Sequence, residues 1–144
     1  MVSELAVVTR QHSQMLDITA EVQRLVRESG LAEGAAVLYC PHTTAGLVIN
    51  ENADPSVAAD ILETLEKLVP WRAGYRHTEG NAAAHVKSSL LGHSLLVPVA
   101  NGRLALGTWQ GIFFCEFDGP RSRRVLVRLV PAWEGPGAPA PALR

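Results

Sequence analysis

The second half of the chain most restricts what it can fold into. Four short β-type runs follow one another there: Ser94–Val99, Arg103–Leu106, Gly111–Asp118 and Arg124–Pro131. Asn101-Gly102 lies between the first two, and this pair tolerates the positive φ angles that a two-residue hairpin turn demands. Asp118-Gly119-Pro120 marks a second turn, because glycine and proline together forbid continued pairing. Strands this close in sequence pair antiparallel, since a parallel crossover needs a dozen or more residues.

The first half alternates helix and strand signals. Val2–Thr9 has the composition of a first strand. Asp17 or Thr19 can cap a helix running to about Ser29, with Ile18, Val22, Leu25 and Val26 on one face and Gly30 as its stop. Ala35–Cys40 and Gly46–Asn50 are predicted strands, separated by Pro41-His42-Thr43-Thr44, where the proline cannot donate to a ladder. Asp54 is a good N-cap and Pro55 a good first helical residue. The stripe Val57, Ile61, Leu65 and Leu68 is expected to face the core, while Asp60, Glu63, Glu66 and Lys67 face water and Pro70 ends the helix. Trp71–Gly80 shows no period and reads as an ordered loop. Asn81 is placed to cap a short helix, Ala82–Leu91, that Gly92 stops. The fold class is therefore α+β, a compact single domain with antiparallel-rich sheets and two to three helices.

With 144 residues, one core suffices and neither disulfide nor metal is needed for folding. The domain is expected over 1–133, followed by a Pro/Ala/Gly-rich tail over 134–144 that can form no core. A net charge of −1 supplies no global field for nucleic acid or an anionic membrane, so neither is an expected partner. No signal peptide and no membrane-spanning run is legible. Cys40 and Cys115 sit in apolar runs and read as buried thiols in a reducing compartment, with the cytoplasm as default.

Polar residues interrupt this pattern at four places. Alternation along Gly111–Asp118 sets Phe113, Cys115 and Phe117 on one face and Ile112, Phe114, Glu116 and Asp118 on the other. Two carboxylates leaving one face need cations or solvent, and Arg121, Arg123 and Arg124 follow across the turn. They are either surface ion pairs or an acid–arginine cluster suited to phosphate or metal-phosphate. Glu51 continues the apolar face of Leu47 and Ile49, so it is either paired or employed. Asn52 and Asp54 are accounted for by turn and cap chemistry. Gly107-Thr108-Trp109-Gln110-Gly111 is either a bulge with a packed indole or a place where a ligand approaches the backbone and stacks on the ring. His42, His77, His85 and His93 lack zinc-finger or His-Glu-x-x-His spacing. Ser88 and Ser89 share the helix face of His85. Lys87 and Arg76 are local cations whose default is solvation.

Taken in order, His42-Thr43-Thr44-Ala45-Gly46-Leu47, Asn50-Glu51-Asn52-Ala53-Asp54-Pro55, Tyr75-Arg76-His77, Ala84-His85-Val86-Lys87-Ser88-Ser89-Leu90-Leu91-Gly92, Pro98-Val99, Leu106-Gly107-Thr108-Trp109-Gln110-Gly111 and Glu116-Phe117-Asp118-Gly119-Pro120-Arg121 resemble the YjbQ-like family, from about Val2 to Val130. The resemblance implies a compact α+β fold, a homotrimer and secondary thiamine-phosphate synthase activity, which joins a pyrimidine methyl diphosphate to a thiazole phosphate. It implies catalytic roles for His85, Glu51, Glu116 and Lys87, and substrate contacts from Asn52, Ser88, Trp109, Gln110 and Arg121. His93 is not carried over. Mg²⁺ would serve the leaving diphosphate, with Glu51 and Glu116 toward the metal, Lys87 and Arg121 toward the phosphates and Trp109 under the ring. A metal- or anion-binding module stands as the alternative, with Zn²⁺ held by His42, His77 and His85, as does a metal-dependent hydrolase. No organic cofactor is implied. Every one of these readings needs the segments around His42, His85 and Glu116 to meet in one pocket, within a subunit or across a boundary.

Overall fold

The computed structural model describes residues 2–133 and 136. Eleven elements follow in chain order: β1 (Ser3–Val8), β2 (Gln14–Asp17), α1 (Thr19–Ser29), β3 (Gly34–Tyr39), β4 (Ala45–Glu51), α2 (Pro55–Leu68), α3 (Ala82–Leu91), β5 (Ser94–Ala100), β6 (Arg103–Leu104), β7 (Gln110–Glu116) and β8 (Ser122–Pro131). A five-stranded sheet runs β1-β8-β3-β5-β6 and a three-stranded sheet runs β2-β7-β4. Every pairing is antiparallel. The fold is compact α+β, as the turn spacing requires. The proposed tail, 134–144, lies outside the described residues apart from Pro136.

Period-two burial stacks the layers. Leu5 and Val7, Ala36 and Leu38, Val97 and Val99, and Val125 and Val127 pack with Leu47, Ile112 and Phe114 in one cluster between the two sheets, closed by Val22 and Val26 of α1. Residues of opposite parity on β7, Phe113 and Cys115, form a second cluster with Phe117, Ala84 of α3, and Leu62 and Leu65 of α2. The three-stranded sheet is therefore buried on both faces. That explains why β7 is apolar almost throughout.

Local chemistry sets the elements. Asn101 (φ 53) and Gly102 (φ 73) turn β5 into β6 as the dipeptide predicted. β6 stops at Leu104 rather than Leu106, and the amide of Gln23 on α1 covers its free edge: Leu104 N–H donates to its Oε1 (2.9 Å) and its Nε2 donates to Gly102 O (3.1 Å). Asp54 caps α2 by accepting from Ser56 N–H (2.9 Å). The α2 stripe is buried less than its pattern predicts. No α2 residue falls in the fully buried set, and Leu68 is 70% exposed. Strand β2 was absent from the sequence pattern. Among the described residues no helix is long and apolar enough to cross a membrane.

Candidate functional site

Strand β7 separates the expected site residues into two groups. Gln110 pairs with Glu51 at one end and Glu116 with Ala45 at the other. Six residue steps of ~3.4 Å set these ends about 20 Å apart. One chain therefore cannot gather Glu51, Asn52, Trp109 and Gln110 into the same pocket as Glu116 and His42.

The Glu116 end is electrostatically complete. Glu116 is fully buried, and its Oε1 accepts from Thr9 Oγ1 (2.8 Å) and Arg123 Nε (2.8 Å). Its Oε2 accepts from a second Arg123 nitrogen and from the backbone N–H groups of Phe117 (3.1 Å) and Asp118 (3.0 Å). Burial alone would raise this carboxyl; the Arg123, Asp118 and Thr9 hydrogen bonds outweigh it and hold the group below its ordinary range. Five donors of its own chain thus surround the Glu116 carboxylate. It ties β7 to β1 and β8 beside the cis Gly119–Pro120 bond. Gly119 is required there, since a Cβ would lie 2.2 Å from Gln11 O and 2.8 Å from Glu116 Cγ.

The three arginines resolve as ion pairs. Arg123, rather than Arg121, meets Glu116; Arg121 turns back to Asp118 (2.9 Å) and Arg124 to Glu4 (2.8 Å). Asp118 also accepts from Asn81 Nδ2 (2.9 Å), so the two carboxylates of β7 diverge. His42 Nε2 lies 3.1 Å from Arg124 N and 3.2 Å from Arg124 O, so the β8 backbone engages that nitrogen. Burial and the Arg123 charge keep this ring below the usual imidazole value.

Helix α3 lies on the other face of the three-stranded sheet. Lys87, expected at the surface, is buried, pairs with Glu66 and lies 5.9 Å from the Phe117 ring centroid. The Lys87 hydrogen bond, opposed by burial, lowers the Glu66 carboxyl. Ser88 Oγ donates to Ala45 O (2.7 Å) and meets His93 Nε2 (3.3 Å), anchoring α3 to β4. Ser88 thus ties the helix to the sheet. The rings of His77 and His85 meet edge to face at 5.2 Å, and His77 stands 3.8 Å from Glu79. His42 faces Phe114 in the inter-sheet layer (6.4 Å), so the three proposed zinc ligands do not converge in one chain. Among the described residues no group of three or more His, Cys, Asp or Glu side chains is placed to hold a metal ion.

The Gln110 end keeps groups in reserve. A cavity of about 410 Å³ opens there between β2, β7 and the start of α2. Phe113, Met15 and Leu62 supply an apolar wall; Glu51, Asn52 and Asp17 supply polar groups. Asn52 is held firmly: its N–H donates to Trp109 O (3.1 Å) and its Nδ2 to Asp17 Oδ2 (3.0 Å). Gly111 makes room for it, because a Cβ there would lie 2.5–2.6 Å from the Asn52 side chain. Asp17 also accepts from Thr19 N–H (2.9 Å) and its hydroxyl; these bonds and that from Asn52 outweigh burial and lower its carboxyl. Gln110 Oε1 accepts from Gly107 N–H (2.8 Å), closing the turn. Trp109 is 63% exposed and does not line the cavity, so the expected stacking platform is not part of it.

A protein-family model described as UPF0047 protein YjbQ-like matches residues 3–132. The chain belongs to this family. It is 53% identical over 131 residues to the UPF0047 protein YugU of Bacillus subtilis, a match covering 90% of this chain and 99% of that one. It is 47% identical over 130 residues to a UPF0047 protein of Methanocaldococcus jannaschii, covering 90% and 94%. A crystal structure of an uncharacterized YjbQ/UPF0047 protein from Clostridium acetobutylicum superposes with a TM-score of 0.87 at 52% identity, covering 89% and 99%. A YbjQ-like protein of unknown function from Sulfolobus solfataricus reaches 0.88 at 32% identity, covering 92% and 97%.

Within this family fold, the groups the sequence pattern missed are Asp17, Phe113 and Glu66; Arg123 was read as one of three arginines after Glu116, without its pairing. Asp17 looked like a helix cap and Phe113 like plain core. For Arg123 a signal existed: with Val125 and Val127 it shares the inward parity of β8.

Proposed function

We propose that the chain is an enzyme acting on a phosphorylated small molecule with a nitrogen-heteroaromatic ring, and that its reaction is thiamine-phosphate synthase-like transfer. The observation that carries this reading is the cavity beside Glu51: an aromatic and aliphatic wall under three carboxylates, Asp17, Glu51 and Asp54, with no lysine, arginine or histidine lining it. In the reaction, the methyl carbon–oxygen bond breaks with its electron pair leaving on pyrophosphate. The thiazole nitrogen then donates its lone pair to that carbon. Positive charge develops on the pyrimidine methyl group and ends on the thiazolium ring. A fixed negative field there favours that charge more in the transition state than in the substrate.

Mg²⁺, which would neutralise the leaving diphosphate, does not fit as a resident ion of one chain. Asp17 already binds Thr19 and Asn52, and Asp54 caps Ser56. No step is assigned to it.

The family reading of a homotrimer is supported by the outer face of the five-stranded sheet. Leu96 (69% exposed), Tyr39 (49%) and Val130 (43%) stand there with Val37 and Pro98. Contiguous apolar side chains on one sheet face are what a second copy of the chain would cover. Two buried free thiols suit a reducing, cytoplasmic compartment. Purified protein supplied with both phosphorylated substrates and Mg²⁺ should form product detectable by mass spectrometry, and Glu51→Gln should abolish it. Product formed equally by Glu51→Gln would overturn the assignment. Light scattering should give three times the 15.5 kDa chain mass, and Leu96→Glu should lower it.

A further inference from the structure

Asn101 and Gly102 sit at the tip of the β5–β6 hairpin, and this pair carries a chemistry that the folded turn holds in check. A backbone amide nitrogen that attacks the side-chain carbonyl carbon of the asparagine before it closes a succinimide ring. Glycine makes that closure easiest, because no Cβ crowds the attacking nitrogen. Among the asparagines of the chain, Asn101 alone precedes a glycine; Asn50, Asn52 and Asn81 precede Glu51, Ala53 and Ala82. Asn101 is also exposed, so water and base reach its amide. Asp118 precedes a glycine too, but its side chain is a carboxylate engaged by Arg121 (2.9 Å) and Asn81 (2.9 Å), a far poorer electrophile.

The native turn keeps the two reacting atoms apart. Asn101 (φ 53) and Gly102 (φ 73) have the signs of a type I′ turn. Its first central ψ is about +30°, which sets the Gly102 nitrogen on the far side of the Cα–C bond from the Asn101 Cβ. Ring closure needs that nitrogen rotated round to the side chain, so the turn must open first. Hydrogen bonds from outside the hairpin hold it shut. Gly102 N–H donates to Ala32 O (3.0 Å), Gln23 Nε2 donates to Gly102 O (3.1 Å), and Asn101 N–H donates to Glu33 Oε1 (3.2 Å). The attacking nitrogen must also lose its proton, which the closed turn gives to Ala32. Gln23 reaches from α1 and holds Leu104 N–H as well (2.9 Å).

We infer that Asn101 is a deamidation site latched by Gln23 and by the Ala32–Glu33 segment, and that its amide is lost only when the β5–β6 hairpin opens. The Gly102 N–Cγ bond forms as the Asn101 Cγ–Nδ2 bond breaks; the Gly102 proton leaves to solvent base and ammonia departs. Water then opens the succinimide at either carbonyl, leaving aspartate or isoaspartate at position 101. The new carboxylate arises beside Arg27 and Arg103, which line the hollow that Asn101 shares with Gln23. The site therefore ages at the rate at which the contact between α1 and the hairpin breaks. None of the groups involved lines the Glu51 cavity, so the site stands or falls apart from the transferase reading.

Peptide mapping by mass spectrometry on the full-length protein in mildly alkaline buffer measures the reaction, with isoaspartate resolved by chromatography. Asn101 should convert in guanidinium-unfolded protein while Asn50, Asn52 and Asn81 remain. Native protein should convert about 10-fold more slowly or slower still, since hydrogen-bonded segments are open only a small fraction of the time. Gln23→Ala should speed native conversion about 5-fold or more, as loss of ordinary hydrogen bonds does. Glu28→Gln, at an exposed position of the same helix, should not. Should Gln23→Ala fail to fold, hydrogen exchange at the wild-type Gly102 amide decides, because exchange and ring closure begin from the same deprotonated nitrogen. That amide should be protected, by a factor that matches the slowing of native conversion. Equal rates in native and unfolded wild type, no acceleration in folded Gln23→Ala, an unprotected Gly102 amide, or earlier conversion of another asparagine would each overturn the inference.

Discussion

Glu116→Gln separates a structural carboxylate from a catalytic one. The change preserves shape and removes one negative charge from a group with five hydrogen-bond donors around it. Arg123, whose side chain is 6% exposed, is then a buried cation without a counter-charge. The new amide nitrogen must face either Arg123 or the Phe117 and Asp118 N–H groups, donor against donor. Removing one member of a buried ion pair costs about 3–5 kcal/mol. Set against a total of about 5–15 kcal/mol for a domain, that is a large share. At roughly 3–5 °C per kcal/mol for a chain of this size, the melting temperature should fall by about 10–20 °C. Circular dichroism melts at one fixed protomer concentration read this directly. At temperatures where the variant remains folded, binding at the Glu51 cavity should match wild type. A melting temperature within about 3 °C of wild type would refute the claim that Glu116 holds the sheets together.

The carboxyls of Asp17, Glu66 and Glu116 all lie below their ordinary values of 3.8 and 4.5. Folding therefore favours their ionised forms, and that stability is complete above the unfolded values and drains as pH falls through the lowered folded ones; urea midpoints should be flat from about pH 6 to 8 and decline below about 4.5. Burial pushes Cys40 up to about 11 and Cys115 up to about 12, so Ellman's reagent at pH 8 should label neither thiol quickly in native protein and both in guanidinium; fast native labelling would contradict the packing. Gly111→Ala drives a methyl into the Asn52 side chain and should cost about 1–3 kcal/mol, as overpacking does, with loss of ligand binding. Asn52→Gly in that background should recover stability but not binding.

Much of the fold was legible because it depends on neighbours in sequence. The Asn101-Gly102 hairpin, the Asp54-Pro55 helix start and the two-faced alternation of β7 each follow from backbone chemistry within a few residues. Strand β2 was hidden because four residues cannot display a period, and its pairing with β7 is a tertiary fact. The site was legible as a set of residues and not as an arrangement. Lys87 reads as a surface cation until α3 is laid on β7, where Glu66 and Phe117 enclose it. Arg121 follows Glu116 more closely in sequence than Arg123 does, but the Gly119–Pro120 turn sends it outward to Asp118. Residue type indicated charge chemistry; only the fold decides which charges are already neutralised.

That distinction explains why the two ends of β7 differ in what they can do. A carboxylate whose lone pairs are filled by its own chain gains nothing further from a ligand, so its chemistry is spent on folding. One that has no internal donor leaves its full electrostatic capacity for a substrate and contributes little to stability. Glu116 is of the first kind and Glu51 of the second, although both sit on strands of the same sheet. Glu51→Gln should therefore shift unfolding by no more than about 0.5 kcal/mol, as surface changes do, while removing ligand binding. Glu116→Gln should do the opposite. A Glu51→Gln variant that melts several degrees lower would mean that this carboxylate too is engaged inside the assembled protein, and the cavity would lose the unpaired acceptor on which its function depends.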